Sequence, residues 1–171
     1  VHRNLTAAIV LAAITTLTAC GTGIGSGAGM QCSGAALAKG ITLDIDPAFA
    51  PQVGDATLTS CWGGVCKDSP MHLMPSSTSS ALPCTGTKPE SACGAAAVPT
   101  GGKHGFASLV DLDATPSEIT LKLLDPSGAE LRTQSLTVTP KVLMPGPPEC
   151  GGATPQGGLL VSPDGTLSQR P

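Results

Sequence analysis

The chain has 171 residues, enough for one domain of ordinary size plus a short appendage. Nine Lys and Arg stand against 12 Asp and Glu, a formal net charge of −3, which excludes the basic stripe that holds a nucleic acid backbone. With two Phe, one Trp and no Tyr, a core has to be built from Leu, Ile, Val and Ala, and so little area per residue makes covalent staples useful.

In chain order, His2 and Arg3 give a basic start, residues 5–17 carry only apolar residues, Ala and Thr, and small residues precede Cys20. This is the layout of a secretory signal, and the run is too short to span a bilayer. Leu17-Thr18-Ala19-Cys20 resembles the lipobox of bacterial lipoproteins. That resemblance implies cleavage before Cys20, diacylglycerol on the Cys20 thiol, and a mature chain held on the extracytoplasmic face of the cell membrane. Each buried acyl CH₂ contributes about 0.8 kcal/mol, so more than one chain anchors the protein without a transmembrane helix. Val1 reads as a GTG start, and the Ala, Gly and Pro bias suits a GC-rich bacterium. The organisation expected is a signal peptide over 1–19, a lipidated Cys and Gly-rich tether over 20–40, and one domain over 41–171. Gly23-x-Gly25-x-x-Ala28 fits a dinucleotide fingerprint formally, but no strand precedes it and no crossover helix follows.

From Ile41 the hydrophobic period becomes two: Ile41, Leu43 and Ile45 alternate with Thr42, Asp44 and Asp46, predicting a half-buried strand over 41–46. A second strand follows over 56–61. Trp62-Gly63-Gly64-Val65, between Cys61 and Cys66, then reads as a hairpin loop. The third strand leaves through Cys66 and re-forms over 71–74 after Pro70. Residues 75–103 carry Pro83, Pro89, Pro99, Gly101 and Gly102 but few large apolar side chains, predicting a long loop pinned by Cys84 and Cys93. Beyond it, Phe106, Ser108, Val110 and Leu112 alternate with Ala107, Leu109 and Asp111, and Ile119, Leu121 and Leu123 alternate with Thr120, Lys122 and Leu124. Asp125-Pro126-Ser127-Gly128 is a turn into a returning strand through Leu131, Leu136 and Val138. A rigid Pro145-Gly146-Pro147-Pro148-Glu149-Cys150 follows residues 142–144, and 159–161, a Pro163-Asp164-Gly165 turn and Leu167 close the chain.

If Cys20 carries lipid, Cys32, Cys61, Cys66, Cys84, Cys93 and Cys150 remain, and an even number in an exported chain reads as disulfides. Six cysteines allow 15 connectivities, among which sequence does not choose. The preferred set is Cys61–Cys66 across the hairpin, Cys84–Cys93 within the loop, and Cys32–Cys150 tying the ends of the domain. Zinc is disfavoured, because Cys61-x4-Cys66 is wider than the Cys-x2-Cys knuckle.

Together these features resemble small secreted or lipid-anchored actinobacterial proteins with an immunoglobulin-like domain and no assigned function. The shared features are an early Cys before an Ile-x-Leu-x-Ile strand, a Cys-hairpin-Cys, the Thr120-Leu121-Lys122-Leu123-Leu124-Asp125-Pro126-Ser127-Gly128 hairpin and the late Pro-Gly-Pro-Pro-Glu-Cys. The resemblance covers about residues 32–167 and implies an all-β, disulfide-stapled, immunoglobulin-like antiparallel β-sandwich. Short strands between regular turn signals, with no good amphipathic helix, point the same way.

Catalytic signatures are few. No Gly-x-Ser-x-Gly elbow occurs, and only His72 and His104 lie beyond the signal for a Ser-His-Asp set. Asp44 with Asp46, and Asp111 with Asp113, read as solvated strand faces rather than glycosidase pairs. Met71, His72 and Met74 offer soft donors suited to Cu(I), with Met30, Met144 or His104 as additions. The reading expected is a non-catalytic, cofactor-free binding module of the cell envelope, contacting a protein, peptide or wall component through the 75–103 loop or an exposed sheet face. Extracytoplasmic copper binding is the alternative, and a protease inhibitor the third.

Overall fold

The strict alternation around Ile41 produces strand β1 (Gly40–Ile45), with Ile41, Leu43 and Ile45 buried and Thr42 and Asp44 facing outward. The computed structural model describes residues 32, 34, 36–62, 64–86 and 93–170, so the expected signal and lipidation site, Leu17-Thr18-Ala19-Cys20, and Met30 lie outside the described residues. Nine further strands follow among the described residues: β2 (Asp55–Trp62), β3 (Val65–Met71), β4 (Met74–Ala81), β5 (Ala95–Ser108), β6 (Ser117–Leu124), β7 (Glu130–Val138), β8 (Lys141–Leu143), β9 (Thr154–Val161) and β10 (Leu167–Gln169). The only helical turns among the described residues are short 3-10 segments, Ala50–Gln52 and Pro148–Cys150.

The strands form the expected disulfide-stapled β-sandwich. One sheet runs β10-β9-β1-β5-β4, with β8 beside β10 on the same flank of β9; the other runs β3-β2-β6-β7. Between them, Ile41, Leu43, Ile45, Ala107, Leu159 and Val161 face Ala56, Leu58, Met71, Ile119, Leu121, Leu123 and Val138. Among the described residues Phe49 is the one aromatic side chain in this core, in a chain that has three aromatic residues in all.

One pairing departs from the antiparallel expectation: β1 runs parallel to β9, Ile41 opposite Gly157 and Ile45 opposite Val161. Cys32 precedes β1, Cys150 precedes β9, and the disulfide between them joins the leading ends of two strands that run the same way. Close approach needs glycine here. A Cβ on Gly40 would lie 2.1 Å from the Ala107 carbonyl oxygen, and one on Gly157 would lie 2.5 Å from Ile41 Cδ1. The domain also starts earlier than residue 41, since the Leu37, Ala38 and Lys39 carbonyls accept from Thr154 Oγ1, Gln156 Nε2 and the Leu109 amide.

Three local expectations need correction. Residues 75–103 are not a loop: 75–81 belong to β4 and 95–103 to β5, an antiparallel ladder that leaves only the tip to the Cys84–Cys93 bridge. Over residues 76–81 and 95–101 neither strand has a dry face, so the hydrophobic alternation that marks a strand is missing there. Strand β3 runs through Pro70, tolerated on an edge strand, and ends at Met71; Met74 opens β4 in the other sheet. The alternating stretch expected from Phe106 through Leu112 stops as a strand at Ser108, with Ala107, Leu109 and Leu112 turned inward and Phe106 and Val110 exposed.

The sandwich edge formed by β7 and β10 is clasped by side chains. Gln134 donates from Nε2 to the Gly165 carbonyl and accepts from the Leu167 amide on Oε1, and Gln169 makes the same two-way contact with Thr139. Two aspartates hold the turns beside it. Asp125 Oδ1 accepts from the Ser127 hydroxyl and the Ser127 and Ala129 amides, and these bonds lower its pKa. Asp164 accepts from the Ser162 and Thr166 hydroxyls and the Thr166 amide, which bring its pKa from 3.8 to about 2. Because the folded value is depressed, this contribution is present above about pH 4 and is lost as the pH falls towards 2. Asp164→Asn is therefore expected to flatten the loss of stability between pH 4 and 2 in acid titrations of the denaturation midpoint; an unchanged slope would contradict this.

The Cys32–Cys150 bridge spans 118 positions, and on the chain-entropy account such a closure stabilises by about 5 kcal/mol. Cys32→Ala with Cys150→Ala should lower the unfolding free energy in urea by most of that amount. A loss below about 1 kcal/mol would mean that β1 and β9 hold together without the clamp.

Candidate functional site

Beyond the end of β1, β5 keeps only one partner. The β1–β5 ladder stops at Ile45 opposite Lys103, whereas β4 and β5 continue through Ser77–Pro99, Thr78–Val98, Ser79–Ala97, Ser80–Ala96 and Ala81–Ala95. The result is a two-stranded arm on the sandwich, composed of Ser, Thr, Ala, Val and Gly with Pro99 on β5, and exposed on both faces. Isolated two-stranded ribbons are marginal in water, and this one is secured at both ends. At the tip, the Leu82 amide donates to the Gly94 carbonyl at 2.9 Å and Cys84–Cys93 closes the loop. At the root, Lys103 Nζ donates to the Val53 carbonyl, and Thr100 Oγ1 donates to the Ser76 carbonyl across the bulge between Pro75 and Ser77.

The flank of β4 that has no strand partner among the described residues distinguishes the arm from the other sheet margins. Strand β3 carries Lys67, Asp68 and Pro70, β7 carries Glu130 and Arg132 beside the glutamine clasp, and β10 has three residues. Such charges, prolines and short lengths discourage pairing with another chain. On β4 the only such device is Pro75 near its start, and between residues 74 and 102 the only charged residues are Lys88 and Glu90. Leu82 (48% exposed) and Val98 (44%) add apolar surface to the same arm.

The remaining candidates are dispersed over the sandwich. Cys32–Cys150, Cys61–Cys66 and Cys84–Cys93 are the bonded pairs, with Cα separations of 5.5, 4.1 and 4.1 Å. Met71 is fully buried in the core, while His72 and Met74 are exposed, so the three soft donors are divided between packing and surface. Met144 is exposed after β8. His104 lies on β5, opposite Met74 on one side and Asp44 on the other, with Ser76 Oγ 3.3 Å from its Nδ1.

This Ser76-His104-Asp44 row is not wired as a catalytic triad. Asp44 forms its ion pair with Arg170, whose Nη2 also donates to Thr42 Oγ1 at 3.1 Å. Ser76 meets the ring nitrogen that a triad gives to its carboxylate. Asp46 accepts from the Ala48 amide and caps a turn. Among the described residues no three His, Cys, Asp or Glu side chains converge as a metal site. A shallow cleft of about 100 Å³, lined by Lys141, Leu143, Gln156, Gly157, Gly158, Gln169 and Arg170, is well below the volume of a typical small-molecule pocket. Comparison with known proteins found no matching family model, no matching curated protein and no matching solved structure.

Sequence reasoning placed the arm's cysteines but missed its strands. No period marked them: Ser-Ser-Thr-Ser-Ser precedes Cys84 and Ala-Ala-Ala-Val follows Cys93, and of these residues only Thr and Val favour strands. The Cys84–Cys93 bridge closes a short loop within the arm, so Cys84→Ser with Cys93→Ser is expected to expose residues 76–99 to limited proteolysis while the sandwich resists. Unchanged resistance of the arm would show that the bridge does not hold it.

Proposed function

We propose that the chain is a lipid-anchored, non-catalytic binding module of the bacterial cell envelope, and that the β4–β5 arm is its contacting element. The observation that carries this reading is the second flank of β4: an uncharged strand, paired on one side only, that stands off the sandwich and leaves one row of backbone donors and acceptors without a strand partner among the described residues. An incoming strand gains main-chain hydrogen bonds there, the β-augmentation mode of recognition. Three disulfides suit an oxidising compartment, and the lipobox-like Leu17-Thr18-Ala19-Cys20 provides the address. The lipid on Cys20 holds the sandwich at a membrane surface, and the arm presents its strand to whatever shares that surface.

A photoreactive residue at Ser79 on β4, compared with one at the exposed Thr137 on β7, tests this in intact cells expressing the full chain. Strong adducts from Ser79 with background labelling from Thr137 are expected, and equal labelling would rule out the arm as the contacting element. In parallel, Cys20→Ser should shift the protein out of the membrane fraction, whereas persistent attachment would contradict lipid anchoring.

A further inference from the structure

Residues 76–80 read Ser-Ser-Thr-Ser-Ser, the same in both directions about Thr78. They occupy the middle of β4, whose second flank has no strand partner among the described residues. From this symmetry we infer that the partner of β4 is β4 of a second copy of this chain, paired antiparallel about a two-fold axis through Thr78. The inference rests on the reading of the arm as a binding element.

An antiparallel dyad at Thr78 sets Thr78 against its equivalent, Ser77 against the partner's Ser79 and Ser76 against the partner's Ser80. Every pair is then hydroxyl against hydroxyl, a favourable cross-strand combination. A two-fold contact also places every charge beside its own kind near the axis. β4 carries none, so self-pairing meets no repulsion. Pro75 and Pro83 bracket the segment and restrict the ladder to the palindrome, because proline has no amide to donate. Once the two β4 strands pair, both edges are consumed and the assembly closes as a dimer instead of growing into a fibre. The pairing is short and buries little area, so it is weak in dilute solution. Confining both copies to one membrane raises their effective concentration and makes the contact populated there.

Disulfide trapping in intact membranes tests the register. In the proposed dimer the two Thr78 Cα atoms lie about 5 Å apart, inside the range a disulfide spans. The two Ser80 positions are offset by four residues, about 13 Å, outside that range. Full-length Thr78→Cys should therefore give a cross-linked species of twice the chain mass, and Ser80→Cys at least about ten-fold less. Co-expressed Ser76→Cys and Ser80→Cys chains should cross-link to each other. Comparable trapping at Thr78 and Ser80, or none at Thr78, overturns the proposed dimer. As a second measurement that needs no added cysteine at the seam, donor- and acceptor-labelled full-length chains sharing one vesicle membrane should show energy transfer above the random-encounter level at that surface density, and Thr78→Lys should reduce it to that level. Identical energy transfer for the two overturns the dimer as well. A Thr78→Cys adduct of any mass other than twice the chain overturns self-pairing while leaving the arm a binding element; failure of the arm itself shows as equal labelling from Ser79 and Thr137.

Discussion

The parallel contact between β1 and β9 is the constraint on which the rest of the structure depends. β1 sits inside its sheet, antiparallel to β5 on one side and parallel to β9 on the other, and its Ile41, Leu43 and Ile45 line the core. The paired residues are more than a hundred positions apart in sequence, so the loop entropy of bringing them together is paid before any burial rewards it. Cys32–Cys150 removes much of that cost by fixing the leading ends of both strands. With β1 in place, β5 has a partner for residues 103–108, and the second sheet has an aliphatic face to pack against.

The same arrangement explains why the arm is different in kind. β1 ends at Ile45, and from that level outward β5 is no longer an interior strand. Among the described residues, the β4–β5 ribbon beyond it has no opposing sheet, no buried side of its own and a single ladder. Its order comes from a root continuous with the sandwich and a tip closed by Cys84–Cys93. The other edges are blunted by Lys67 and Asp68, by Glu130 and Arg132, or by the paired Gln134 and Gln169 contacts. Natural sheets guard their edges against unwanted pairing. A long, nearly unguarded edge beside guarded ones is therefore read as a place where pairing is wanted.

Legibility in the sequence followed burial. β1 and β6 could be read directly because Ile41, Leu43 and Ile45, and Ile119, Leu121 and Leu123, alternate between a dry and a wet face. The turn at Asp125 was equally plain, since Asp, Pro and Gly stand where their backbone preferences place them. The strands of the arm were not legible, because residues wet on both faces carry no period. Nor was the parallel register, since nothing in β1 names β9 as its neighbour. Met71, His72 and Met74 show that closeness in sequence can mislead. The chain changes sheets at residues 72 and 73, so Met71 enters the core while Met74 joins the exposed face beside His104. Gln134 and Gln169 look like ordinary surface amides until their backbone partners on the neighbouring strand or loop are seen.

The protein is thus a clamped sandwich that carries a lightly held strand edge, and we propose that another chain completes that edge. Amide hydrogen exchange of the full-length protein held on vesicles, followed residue by residue at low and high surface density, tests that claim most directly. Amides of β1, β2, β6 and β9 should exchange only through global unfolding at both densities. Those of β4 should exchange quickly when the protein is sparse and slow markedly when it is dense. Protection of β4 equal to that of β1 at low density, or indifferent to density, would contradict a shared edge.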